Sequence, residues 1–264
     1  MNKPRVGIVV PTIGGRPEYL PECLESIRRA VADPEDVYIL LVGRKGFDPR
    51  PYLQLIDEYI DETEPNLAAK INLGLRSLPH DIEYFNWIGD DDRLTLFSLD
   101  LALSAMTEQK NTSADGIPPV LVFGGCEYID PAGRTIWNQK SGQWAVPLLR
   151  FGPQLIPQPG ALYRRDAFEA VGGLSPKFGW AFDFNLFLSL SQIGKSVYVP
   201  KTLANFRWHP GSLSVSRRRE SVAEASAVRK AHLPTWLCPI SELWEFPVRQ
   251  ATYWAGIRLG KRLK

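Results

Sequence analysis

Short apolar runs alternate with an amphipathic segment at the start of the chain. The runs 6–10 and 37–42 are rich in valine, isoleucine and leucine, and a proline or glycine follows each, which predicts two buried strands. Between them, Leu20, Leu24 and Ile27 recur at helical spacing. A strand, a helix and a second strand in this order predict a βαβ unit with parallel strands.

Another predicted strand leads directly into a run of three acids. Segment 47–63 fits either a helix or a strand, but residues 83–89 predict a strand that ends at a glycine. Asp90, Asp91 and Asp92, here called the aspartate run, follow it. Open α/β sheets bind their ligands beyond the carboxyl ends of the strands, so this position is a candidate site.

The remaining pattern extends the same α/β organisation. Helices are predicted over 66–78, 98–107, 165–173, 181–194 and 217–232, and strands or hairpins over 119–125, 127–138, 160–164, 196–200 and 204–209. The expected fold is α/β, with a mostly parallel central sheet flanked by helices and a C-terminal helical tail. We divide the chain into a main domain, 1–234, and a tail, 235–264.

Composition and charge narrow the class of protein. The chain of 264 residues is 44% hydrophobic and has a net charge of only +2, which fits a globular protein that does not bind nucleic acid. Its three cysteines are far apart and odd in number, which favours reduced thiols. No signal peptide or membrane-spanning run is evident, so we expect a cytoplasmic protein.

The tail is basic and amphipathic. After Glu245 the sequence has five basic residues and no acid. A helical stripe is predicted from residues at steps of three or four: Trp244, Val248, Ala251, Ala255, Leu259 and Leu263. The tail is expected either to lie at the inner face of the membrane as a peripheral contact, or to pack on the main domain or on a second subunit.

Three features carry candidate chemistry, and each has a simpler interpretation. The aspartate run suits a hard cation such as Mg²⁺ or Mn²⁺, or it is a solvated acidic turn. Asp183 opens an apolar helix and is either a general base or an N-terminal helix charge. His209 and Arg217 belong to a segment that either closes over phosphates or is ordinary surface.

Seven segments, taken in order, resemble family-two glycosyltransferases of the GT-A fold. They read VGIVVPT, PEYLPECLESI, NLAAKINLGL, IGDDDRL, ALYRRDAFEAVGGLSPKF, AFDFNLFLSLSQIG and RWHPGSLS, and they cover roughly residues 6–216. No dinucleotide-binding glycine motif, P-loop or nucleophile elbow competes with this interpretation.

The resemblance implies roles for individual residues. The metal ligand falls on the aspartate run, chiefly at Asp91, and the catalytic base falls on Asp183. Nucleotide-sugar contacts are expected from Thr12, Lys70, Asp90, Asp91 and Arg217, and metal contacts from Asp91, Asp92 and His209. Trp180, just before the base, is expected to support the acceptor.

The chain departs from the family pattern at the end of the second strand. Where family members usually carry an aspartate pair that contacts the uracil or ribose, this chain has Gly43 and Arg44. Asp48 or Asp61 is a candidate substitute. The first acid of the family's ED motif is replaced by Phe182.

The resemblance predicts a metal-dependent, inverting transfer of a hexosyl or deoxyhexosyl group to a hydroxyl acceptor. The donor is expected to be a UDP or dTDP sugar, and the acceptor a glycan, a lipid-linked glycan or a protein, as in cell-envelope glycan synthesis. One alternative is an inactive GT-A domain that binds a nucleotide sugar or acts as a scaffold. Another is a nucleotidyltransferase, which would release pyrophosphate.

Overall fold

The computed structural model describes residues 5–64, 66–139, 141–209 and 218–260. The α-helices are α1 Leu20–Arg28, α2 Leu67–Ser77, α3 Ser98–Thr112, α4 Ala145–Leu148, α5 Arg165–Ala170, α6 Phe182–Ile193, α7 Arg218–Ala231 and α8 Glu242–Gly260. The strands are β1 Val6–Thr12, β2 Val37–Arg44, β3 Glu58–Glu62, β4 Tyr84–Trp87, β5 Arg93–Leu94, β6 Leu121–Ile129, β7 Thr135–Gln139, β8 Ala161–Arg164 and β9 Ser196–Arg207.

One half of the sheet is the parallel unit that the sequence predicts. Strands β3, β2, β1 and β4 lie side by side in that order, and all three pairings are parallel. The ambiguous segment 47–63 supplies β3 after a short 3₁₀ turn. Asn66 caps α2 as predicted, because its side chain accepts a hydrogen bond from the amide of Ala69. Gly74 lets α2 approach β1, since a Cβ there would lie 2.5 Å from Val9.

The other half of the sheet is mixed. Beyond β4 the order continues β8, β6, β9 and β5, and β7 pairs with β6 as a hairpin. Four of the eight pairings among the described residues are antiparallel, so the α/β fold is confirmed while the sheet is less parallel than the sequence suggests. The two short strands predicted over 196–209 are one strand, β9, with two irregularities in its register against β6.

Helices cover both faces of the sheet, which explains the nearly continuous apolar strands. One buried cluster joins α2 and α6 to the sheet, and the second joins α1 and α3 to its other face. Val9 belongs to the first cluster, whereas Ile8 and Val10 belong to the second. Alternate residues of β1 therefore point to opposite faces, and both faces are buried.

The last two helices lie against each other at the edge of the main domain. Helix α8 runs without interruption through Pro247 and contacts α7 through buried polar side chains. Within the described ranges, no helix is both long enough and apolar enough to cross a membrane.

Candidate active site

The aspartate run lies where the strands β1 and β4 end. The hydroxyl of Thr12 donates to Asp90 Oδ2 at 2.6 Å, and the amide of Gly14 donates to that hydroxyl at 3.0 Å. Gly14 has a φ of +76°, a conformation that favours glycine. The loop after β1 is thereby tied to the acids that follow β4.

The run is buried and partly neutralised, so it is not a solvated acidic turn. Asp90, Asp91 and Asp92 are 3%, 8% and 5% exposed. Arg16 Nη1 lies 2.8 Å from Asp90 Oδ1 and 3.1 Å from Asp91 Oδ2. Burial raises the pKa of Asp90 and raises that of Asp92 further, where the neighbouring charge of Asp91 adds to the effect.

His209 joins this cluster from the end of β9. Its Nε2 lies 2.7 Å from Asp91 Oδ2, although the two residues are 118 positions apart in the chain. The ring of Tyr19 lies 6.1 Å from the imidazole, centroid to centroid. The structure therefore brings together five of the predicted residues: Thr12, Asp90, Asp91, Asp92 and His209.

Arg207 holds the aspartate run in place through hydrogen bonds. No pattern in the sequence predicts this role. The side chain is almost wholly buried, with Nε donating to the carbonyl of Asp91 at 2.8 Å and Nη2 donating to Glu22 Oε2 at 2.5 Å. The backbone amide of Arg207 donates to Asp92 Oδ1 at 2.8 Å. Tyr19 packs over the guanidinium at 4.3 Å. Asp92 is thus engaged by the β9 backbone.

The side chains of the predicted metal contacts Asp91, Asp92 and His209 fit a divalent cation in chemistry, and His209 lies 2.7 Å from Asp91. Carboxylate oxygen and imidazole nitrogen suit Mn²⁺, and carboxylate oxygen suits Mg²⁺. In the part of the chain that the structure describes, no three such side chains form a prearranged metal site.

Asp183 lies in the first turn of α6, as predicted, in apolar surroundings. Gln154 Nε2 donates to Asp183 Oδ2 at 2.6 Å, and the amide of Phe184 donates to Oδ1 at 2.7 Å. Burial raises the pKa of Asp183 to about 6, against the opposing effect of these hydrogen bonds. A half-buried carboxylate with such a pKa is mostly ionised at neutral pH and is a competent proton acceptor.

The loop before Asp183 is held by a residue that the sequence did not single out. Glu224 on α7 accepts hydrogen bonds from three consecutive amides, those of Gly179, Trp180 and Ala181, at 3.0, 2.8 and 3.1 Å. A carboxylate thus satisfies the free amides at the start of α6. It also fixes the backbone of Trp180, the predicted acceptor residue.

Three aromatic side chains form one face on the mixed half of the sheet, called the aromatic face. Trp137, Tyr128 and Phe206 lie side by side on β7, β6 and β9 in matched register, with ring centroids 5.0 and 5.2 Å from Tyr128. Burial raises the pKa of Tyr128, and the charges of both Asp92 and Asp183 add to the shift.

The departure at Gly43 has a steric explanation. A Cβ at this position would lie 2.6 Å from the ring of Tyr59 and 3.0 Å from that of Phe47, so aromatic rings fill the space of the family's aspartate. The hydroxyl of Tyr59 donates a hydrogen bond to Asp61 Oδ1 at 2.5 Å. Asp48, the other candidate substitute, pairs with Arg50 at the surface. Of the two, Asp61 lies beside Gly43 in the β2–β3 register.

Two predicted nucleotide contacts remain, Lys70 and Arg217. Lys70 forms an ion pair with the buried Glu62 at the end of β3. Arg217 lies outside the described residues.

Comparison with solved structures identifies the class of fold. The crystal structure of residues 1–349 of S. aureus TarS with UDP-GlcNAc matches at a TM-score of 0.62 and 11% identity, over 86% of this chain and 66% of that one. The mannosyltransferase PcManGT from Pyrobaculum calidifontis, with GDP-Man and Mn²⁺, matches at 0.57 and 16% identity, over 97% of this chain and 76% of that one. The chain therefore has a GT-A glycosyltransferase fold.

The chain resembles these glycosyltransferases in fold but not in sequence. No protein-family model matches the chain, and no curated protein matches it in sequence. The longer crystal structure of TarS matches at a TM-score of 0.58 and 12% identity over 84% of this chain, which spans 39% of TarS. Membership of family two stays a prediction.

Proposed function

We propose that the chain is a metal-dependent, inverting glycosyltransferase that moves a hexosyl or deoxyhexosyl group from a nucleoside-diphosphate sugar to a hydroxyl acceptor. The observation that carries the proposal is that a chain of GT-A fold has a half-buried carboxyl of raised pKa, Asp183, and a buried aspartate run at the ends of β1 and β4. The structures of similar fold described above, TarS and PcManGT, contain UDP-GlcNAc and GDP-Man, which supports a nucleotide-sugar donor.

The donor would lie at the edge formed by β1, β2 and β4. Thr12 and Asp90 shape the loop after β1, and Arg16 and Lys70 are the nearby cations for a diphosphate. Asp91 and His209 would hold Mn²⁺ or Mg²⁺, whose charge would stabilise the leaving diphosphate. A UDP or dTDP sugar remains the proposed donor, with Asp61 as the carboxylate that replaces the family's aspartate.

Asp183 would act as the general base. Its carboxylate takes the proton of the acceptor hydroxyl while that oxygen attacks the anomeric carbon from the side opposite the diphosphate. The bond from the anomeric carbon to the diphosphate oxygen breaks in the same step, so the configuration inverts. Gln154 holds Oδ2 at 2.6 Å and thereby orients the carboxylate.

The acceptor would approach over the aromatic face and Trp180. Trp137 is 42% exposed, so its ring offers an apolar surface beside Tyr128. Such a surface suits a sugar ring that carries the acceptor hydroxyl. A peripheral contact of the tail 235–264 with the inner membrane face would place the enzyme beside a lipid-linked acceptor.

Two measurements test the proposal. Thermal unfolding with UDP, dTDP and GDP and their sugars, with and without Mn²⁺, should show a metal-dependent stabilisation by a donor. Hydrolysis of that donor without acceptor should release nucleoside diphosphate, and Asp183→Asn should abolish it while leaving the stabilisation intact. Donor binding without any hydrolysis or transfer by the wild type would identify a binding module, and release of pyrophosphate would identify a nucleotidyltransferase.

A further inference from the structure

Helix α8 presents a row of large apolar side chains to the solvent. Leu243, Phe246 and Trp254 are 79%, 58% and 56% exposed. Together with Gln250 and Ile257 they recur at steps of three or four, so they lie on one side of the helix. These five residues are called the outer face.

The opposite side of α8 is polar and buried, which fixes the orientation of the helix. Glu245 is fully buried and accepts hydrogen bonds from Arg229 Nε at 2.6 Å and from the Ser226 hydroxyl at 2.6 Å. Arg249 also donates to Ser226, at 3.2 Å, and pairs with Glu242 at 2.8 Å. A buried charge that loses its partner is strongly destabilising. The pair of Glu245 with Arg229 therefore holds α8 against α7, with the apolar side of α8 outward.

This arrangement differs from the stripe expected from the sequence. Trp244 and Val248 of that stripe are half-buried at the flank of the helix, and Trp244 packs against Phe151 with ring centroids 6.0 Å apart. Ala251 and Ala255 are exposed but small. Leu263 and the side chain of Leu259 lie outside the part of the chain that the structure describes. Within that part, the large exposed apolar side chains of α8 belong to the outer face.

The surroundings of the outer face extend the apolar surface and add positive charge. The 3₁₀ segment before α8 exposes Trp236 and Ile240, by 73% and 49%. Arg219 at the start of α7 lies over the ring of Tyr253 at 5.9 Å, and Arg258 is exposed. The sequence has no acid after Glu245 and ends in Lys-Arg-Leu-Lys.

We infer that the outer face of α8, with the flanking 3₁₀ segment, docks on an anionic lipid bilayer. Tryptophan, phenylalanine and leucine beside arginine and lysine suit the boundary between headgroups and acyl chains. A second copy of this chain docked through the same patch would bring the same basic residues together, which opposes self-association. The inference deepens the peripheral contact proposed above, but lipid binding needs neither donor nor acceptor, so it can fail or succeed independently of transfer.

The test is co-sedimentation of the full chain with vesicles of phosphatidylcholine, with and without phosphatidylglycerol. Binding should require phosphatidylglycerol and weaken as salt is added, because the electrostatic part is screened. Replacing three exposed side chains by glutamine should lower the lipid partition coefficient on the order of a hundredfold, since their apolar area no longer enters the bilayer. The three changes are Leu243→Gln, Phe246→Gln and Trp254→Gln.

A control variant removes three apolar side chains from other surfaces, each of them also more than half exposed. Leu53, Trp144 and Ile193 are 55%, 55% and 51% exposed, and their replacement by glutamine should leave vesicle binding unchanged. Equal losses in both triple variants would overturn the inference, as would full-length chain that stays in solution with anionic vesicles at low salt. A concentration-dependent dimer in light scattering that only the outer-face variant abolishes would instead identify a self-association surface.

Discussion

The raised pKa of Asp183 predicts a pH-dependent cost to folding that Asp183→Asn removes. The pKa of this carboxyl is about 6 in the folded chain, against an ordinary value of 3.8. A shift of about 2 units corresponds to ~3 kcal/mol, an upper value because the side chain keeps some contact with water. The folded state holds the proton more tightly than the unfolded state does. Stability conferred by protonation is therefore complete below pH 4, is lost as pH rises towards 6, and is absent above it.

Asparagine is neutral throughout this range and keeps the shape of the side chain. Its carbonyl can accept from the amide of Phe184, and the amide of Gln154 can rotate to present its oxygen. At pH 7 the variant should be more stable than the wild type by up to ~3 kcal/mol, with about 2–4 °C in melting temperature for each kcal/mol. The difference should vanish near pH 4.

The assay is thermal unfolding of both proteins between pH 4 and 8, with donor hydrolysis measured in parallel. The wild-type hydrolysis rate should fall about tenfold per pH unit below pH 6, as the base becomes protonated. Glu108→Gln, on the exposed surface of α3, controls for the change in net charge. Melting curves of wild type and Asp183→Asn that stay parallel across this range would refute the reasoning, whatever the activity shows.

Three further perturbations test other parts of the site. Glu224→Ala removes the acceptor of three amide hydrogen bonds and should destabilise the chain by ~1–3 kcal/mol. Donor hydrolysis should fall while the thermal stabilisation by donor persists. Equal loss of hydrolysis and of stabilisation by donor would make Glu224 purely structural. Gly43→Asp should destabilise by ~1–3 kcal/mol through overlap with Tyr59, and adding Tyr59→Ala should recover that stability in urea unfolding unless the clash lies elsewhere. Asp91→Asn should abolish the Mn²⁺ dependence of donor binding in a thermal-shift titration, and an unchanged titration would exclude Asp91 as a ligand.

The sequence revealed those parts of the fold that rest on local patterns. Buried parallel strands are apolar on both faces, so β1 and β2 stand out as continuous runs, and the acids after β4 mark the end of a strand. The direction of a strand leaves no such mark, because alternation of side chains is the same in parallel and antiparallel sheets. The hairpin of β6 and β7 was predicted from its turn residues, but the antiparallel pairings of β8 with β4 and β6 were not.

In the candidate site, too, the sequence predicted residues that stand out in a local pattern and missed those defined by distant partners. The sequence indicated Asp183 because it is the single acid in an otherwise apolar predicted helix. Its role as the base stays a prediction. Arg16, Arg207 and Glu224 were missed because their partners lie 74, 116 and about 44 positions away, and one arginine or glutamate looks like another in the sequence. Three adjacent acids that end up buried should nevertheless have prompted a search for a neutralising arginine in the loop after β1.

The bracing of Asp91 and Asp92 by Arg207 also sets the order in which the site can form during synthesis. A ribosome produces the N-terminal parallel half first, and domains fold as their chain emerges. Until β9 is made, the carbonyl of Asp91 and the carboxylate of Asp92 lack the partners that hold them. A ribosome-bound chain that stops before residue 205 is thus expected to bury the β1–β4 core, with Arg16 and Thr12 already beside Asp90, while Asp92 still lacks its partner. The candidate site is complete only when β9 has been added.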